Sequence, residues 1–137
     1  MRPDRVTSSF GLAALCVVSL TAGARSQDPR QTADIQSLKN PVPSTPASIA
    51  AGKSLFQKNC RFCHGDDAKG NGPMAPEGSH PANLTDETWD HGSTDGEIFT
   101  TIREGAPNTA MKGFKSRMTA QEIWSIVNYV RSIGPKS

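Results

Sequence analysis

The sequence predicts an all-α fold of three or four helices joined by irregular loops, and three observations carry that reading. Thr94-Asp95-Gly96-Glu97 and Thr119-Ala120-Gln121-Glu122 both have the S/T-x-x-E form in which a hydroxyl and a carboxylate cap a helix start reciprocally. Apolar residues then recur at spacings of three and four: Ile98, Phe99 and Ile102 after the first, and Ile123, Ile126, Val127, Val130 and Ile133 after the second. No alternating run is long enough for a confident strand, and no internal repeat is present.

The 137 residues fit one domain with extensions, and a formal charge of +2 with scattered basic residues argues against a grip on nucleic acid. Aromatic residues are few and Gly and Pro frequent, which leaves a small domain short of core unless something apolar fills its centre.

Taken in order, Arg2 and Arg5 precede an apolar stretch from Phe10 to Leu20 that ends in Ala22-Gly23-Ala24. This is the pattern of an export signal over residues 1–24, cleaved after Ala24. The apolar run falls well short of the ~20 residues that cross a bilayer, so no membrane span is expected after cleavage. Cys16 lies within the signal and Leu15 before it is not the small residue of a lipoprotein site, so the mature chain keeps only Cys60 and Cys63. Residues 25–45, polar and punctuated by Pro29, Pro41 and Pro43, show no sustained apolar period and read as a flexible leader before a domain at 46–137.

The first helix begins at Pro46 with Thr45 as N-cap, carries Ile49, Gly52 and Phe56 on one face, and delivers Cys60. The Gly- and Pro-rich stretch from His64 to Leu84 is too interrupted for regular structure. A central helix runs from Thr94 to a stop at Gly105, and the last from Thr119 to Gly134-Pro135.

Cys60-Arg61-Phe62-Cys63-His64 has the C-x-x-C-H form of c-type haem attachment. Two residues between the thiols let both sulfurs reach the vinyl groups on one side of a porphyrin, and the adjoining imidazole then falls under the iron as proximal ligand. One covalent haem c would also supply the missing core. A thioredoxin-like pair expects alternating strands and helices around it, which the chain lacks. A closed zinc site wants a fourth ligand, for which only His80 and His91 are near, with no second paired motif. A plain disulfide leaves His64 unexplained.

The second axial ligand is sought among Met74, Met111 and Met118. Met118 precedes the N-cap Thr119 and can staple onto Ile123. Met74 lies within reach of the haem edge, ten residues after His64. Met111, in a loop after the central helix and held by helices at both ends, is the favoured distal ligand. His80 and His91 stay open as bis-imidazole candidates, although a loop histidine is more often solvated.

From about Ala47 to Ile133 the sequence resembles the class I c-type cytochromes, particularly single-haem bacterial ones. The resemblance rests on Gly52-Lys53-Ser54-Leu55-Phe56, Cys60 to Gly65, Pro81-Ala82-Asn83-Leu84, Ile102-Arg103-Glu104-Gly105-Ala106-Pro107 with Met111, and Ile123 to Val130. It implies the cytochrome c fold, with Gly52 and Phe56 crossing Ile126 and Tyr129. It implies that the Pro81 carbonyl accepts the other ring N–H of His64, and that Leu84 touches the haem. The sequence departs from the family at Lys112, where Pro often follows the methionine, and at Asn83, where an acidic residue is common.

A haem with both axial positions filled by protein has no open site for substrate, so the expected activity is electron transfer, not independent catalysis. The expected setting is the bacterial periplasm, with an electron donor and an acceptor protein as partners. A haem module that binds or senses a small ligand through a labile Met111 is the alternative, and a cytochrome subunit of a larger oxidoreductase is another. Trp89 or Arg103 is expected to help neutralise a haem propionate. Lys53, Lys58, Arg61, Lys69, Lys112, Lys115 and Arg117 are expected to form a basic rim that steers an acidic partner.

Overall fold

The computed structural model describes residues 28–135. The predicted signal, with Cys16 and its cleavage site, lies outside the described residues. The described elements are α1 (Pro29–Ser37), α2 (Pro46–Asn59), α3 (Arg61–His64), α4 (Asp95–Glu104) and α5 (Ala120–Ile133). Among the described residues the only β-type pairing is an isolated bridge between Gly105 and Lys112.

The capping chemistry read from the sequence sets the starts of the long helices. Thr94 with Glu97 and Thr119 with Glu122 each form the reciprocal box. Thr45 caps α2 with Pro46 in the first turn, and Ser48 completes a third box by accepting from the Thr45 N–H at 3.0 Å. α2 crosses α5 at Gly52, where a Cβ would collide with the Ser125 carbonyl and lie 2.9 Å from the Tyr129 Cβ. Only glycine lets the two helices approach so closely. One turn on, Phe56 meets Tyr129 with ring centroids 5.3 Å apart. α4 packs on the other part of α5 through Phe99 and Trp124, stacked at 4.0 Å, within a core that includes Ile98, Ile102, Ile123, Ile126, Val127 and Val130.

Within the leader expected over residues 25–45, residues 29–37 form α1. Asp28 caps that helix by accepting from the Arg30 N–H at 3.0 Å, and Pro29 occupies its first turn. α1 lies against the start of α4, where a Cβ on Gly96 would collide with the Ile35 carbonyl, and Gln36 donates to Glu97 at 2.9 Å. Past α1, Asn40 donates to the Trp124 carbonyl at 3.1 Å and to the Asn128 side chain at 2.8 Å. Asn128 in turn donates to the Val42 carbonyl at 3.1 Å. The segment is held by these polar contacts and by Val42 against the main core, and no α1 residue is buried, so a search for a buried apolar face passes over it.

Candidate functional site

α2 ends where the Cys60 N–H donates to the Phe56 carbonyl at 2.7 Å, and α3 makes a single further turn that carries Cys63 and His64. Gly65, at φ 83°, stops it. The Gly- and Pro-rich loop then folds back under this turn. Met74, Gly72 and Gly70 donate their backbone N–H groups to the carbonyls of Phe62, Cys63 and His64 at 2.8, 3.0 and 2.8 Å. Those carbonyls stand at a helix end, where they would otherwise lack partners. The loop is irregular, as expected, and it is also a fitted support.

His64 Nδ1 lies 3.0 Å from the Ala82 carbonyl. A carbonyl only accepts, so Nδ1 carries the proton and Nε2 keeps its lone pair. Burial pushes His64 below its ordinary pKa, and the Ala82 bond acts in the opposite direction. The resemblance implied Pro81 as the acceptor, and the structure corrects this by one residue. The Pro81 carbonyl instead abuts Gly70, at a point where a Cβ would collide with it. Asn83, one of the departures from the family pattern, accepts from the Thr85 N–H and hydroxyl at 3.0 and 2.7 Å and so shapes the next turn.

Cys60, Cys63 and His64 line a cleft of about 690 Å³. Its other walls include Leu84 and Pro81, Ile98 and Ile102 of α4, Ile126 and Val130 of α5, and Phe114. The size falls within the range of cofactor sites, and the walls are those expected for a large apolar ligand with few polar anchors. The cysteine sulfurs are not joined to one another. Burial first, and the neighbouring Cys63 second, push the Cys60 thiol up to about 12, so it is neutral at pH 7. Among the described residues no group of three or more His, Cys, Asp and Glu side chains is arranged to hold a metal ion. Two thiols and one imidazole on a large apolar cleft fit the thioether and imidazole demands of haem c.

The methionines separate cleanly. Met111 is half-buried and lines the cleft. Its segment is fixed by its own N–H donating to Thr109 Oγ1 at 3.1 Å and by its carbonyl accepting from Ala106 at 3.2 Å. Met74 is 67% exposed and lies outside the cleft. Met118 packs on the core cluster that contains Ile123, the staple position its sequence context suggested.

His80 and His91 are exposed at the cleft margin. Trp89 lines the cleft, whereas Arg103 does not and pairs with Glu104 at 3.2 Å. Of the basic residues after Met111, Lys112 and Arg117 line the cleft, while Lys115 is bound to Glu104 at 2.6 Å. Sequence reasoning missed Ala82 and Phe114 as parts of the site, and placed Arg117 only in a basic rim. Ala82 acts through its backbone and leaves no side-chain signal. Phe114 and Arg117 did carry one, an aromatic and a cation three apart, and the Arg117 guanidinium stacks 4.3 Å from the Phe114 ring centroid.

Residues 47–130 match the family described as cytochrome c oxidase, cbb3-type, subunit III. The chain is 40% identical over 85 residues to the cbb3-type cytochrome c oxidase subunit FixP of Bradyrhizobium sp. (strain ORS 278), covering 62% of this chain and 27% of that protein. It is 36% identical over 98 residues to subunit CcoP of Rhodobacter capsulatus, covering 67% of this chain and 31% of that protein. The chain thus spans less than a third of the length of these two relatives. Among solved structures, cytochrome cL of Methylophaga aminisulfidivorans is 32% identical with a TM-score of 0.56, over 66% of this chain and 60% of that one. The architecture is the cytochrome c fold.

Proposed function

The chain belongs to the family of cytochrome c oxidase, cbb3-type, subunit III, and from that premise we propose that it carries a single haem c and passes electrons on the periplasmic side of the membrane as a cytochrome subunit or close partner of an oxidoreductase complex. The observation that carries the proposal is one cleft lined by Cys60, Cys63, His64 and Met111 and walled by apolar side chains. Haem bound there supplies the one-electron iron couple. Cys60 and Cys63 would hold it through thioether bonds to its vinyl groups. His64, with its tautomer fixed by Ala82, offers Nε2 as the proximal ligand. Met111 offers a thioether sulfur from a segment braced by Thr109 and Ala106. Leu84, Ile98, Ile102 and Val130 keep water from the site.

Assembly into a complex is favoured over a free shuttle because the curated relatives are oxidase subunits. Among the described residues no helix is long and apolar enough to cross a membrane. The sensing alternative requires Met111 to leave the iron readily, and the bracing of its segment argues against that. The test is the near-infrared sulfur-to-iron charge-transfer band of the oxidised protein. It should be present in the native chain, survive Met74→Leu and disappear in Met111→Leu. A native spectrum without the band, or a band that survives Met111→Leu, contradicts Met111 as the ligand.

A further inference from the structure

Trp89 sits in the loop between the haem-attachment segment and α4, half-buried, in the wall of the cleft and against the main core. Trp89 belongs to no helix, and besides the core side chains it packs against, one cation of α5 reaches its ring: the Arg131 guanidinium lies 6.0 Å from the Trp89 ring centroid, at the outer reach of a cation–π contact. The same guanidinium donates through Nε to Asp95 at 2.7 Å, and through Nη2 to the Ser93 carbonyl. Arg131 therefore ties together the ring, the end of the loop that carries it and the first residue of α4. It is not itself a cleft residue.

We propose that Arg131 is a positioning residue that holds Trp89 in the cleft wall, and that it sets the reduction potential through Trp89 rather than by touching the cofactor. The inference rests on the haem reading above. A planar guanidinium can serve an aromatic face and two acceptors at once, which an ammonium cannot reproduce. Loosening Trp89 admits water to the cleft, and water favours the more highly charged oxidised iron, so the potential falls.

The experiment is a double-mutant cycle on the midpoint reduction potential of the purified holoprotein, with Arg131→Gln, Trp89→Leu and the pair. Covalent haem content is recorded first by haem staining. Arg131→Gln should shift the potential downward in the native background and have several-fold less effect in the Trp89→Leu background. Equal shifts in both backgrounds, or no shift in either, overturn the proposal while leaving the haem reading intact. A native chain without covalent haem overturns both, and the stain shows this before any potential is read. If Arg131→Gln does not fold, Arg131→Lys, which keeps the charge and loses the fork, runs through the same cycle and is judged by the same outcomes.

Discussion

Glu97 shows how one side chain can report on the junction of two elements. Its carboxylate accepts from the Thr94 N–H at 2.8 Å and from Gln36 at 2.9 Å. The Thr94 backbone bond first, and the Gln36 bond next, hold it below the ordinary carboxylate range. A carboxyl depressed in the folded state contributes stability that is fully present above its unfolded pKa of about 4.3 and is lost as pH falls through the folded value. Glu97→Ala should therefore lower Tm at pH 6, with a deficit that shrinks toward pH 3. A deficit that stays constant with pH contradicts this linkage. At this scale the C-x-x-C-H run could be read directly, because its chemistry needs residues adjacent in the chain, and the structure sets Cys60, Cys63 and His64 along one cleft. The His64 acceptor was legible only to within one residue, since Pro81 and Ala82 differ in which carbonyl turns inward and sequence does not record that.

At the scale of elements, α4 and α5 were readable to their caps because each has a hydroxyl, a carboxylate three residues on and an apolar face to bury. α1 was not, since its attachment is polar and it buries no residue. Asn40 shows what such attachment is worth. It bridges the segment after α1 to the Trp124 carbonyl and to Asn128, which is 5% exposed. Asn40→Ala removes these two bonds and the one its Oδ1 accepts from the Val42 N–H at 2.9 Å, a loss of about 1–3 kcal/mol. Chemical denaturation of the holoprotein measures it. A change below about 0.5 kcal/mol, the scale of an ordinary surface substitution, would show that the segment is not integral to the domain.

For the whole molecule, the low aromatic content and the polar average foretold a missing centre, and the cleft between α3, α4 and α5 is that centre. The faces of α4 and α5 were read as core, yet Ile98, Ile102, Ile126 and Val130 also wall the cleft, because periodicity cannot distinguish protein from cofactor on the far side. The basic rim is narrower than the sequence suggested. Arg61 is paired with Asp66 at 3.2 Å and Lys115 with Glu104, Lys53, Lys58 and Lys69 lie outside the cleft, and Lys112 and Arg117 are the members of the rim that line it. Electron exchange with an acidic redox partner should slow as salt is raised, and Lys112→Glu should slow it by roughly tenfold at low ionic strength. Rates flat with salt and indifferent to the substitution would remove steering from the account. The central claim is that Cys60 and Cys63 hold haem by bonds that do not dissociate, and intact-mass measurement after acid–organic extraction tests it most directly. The chain, made with a c-type maturation system, should keep the mass of one haem, and the chain with both cysteines replaced by Ser should keep none. A colourless native chain, or one holding zinc in place of haem, would contradict the account.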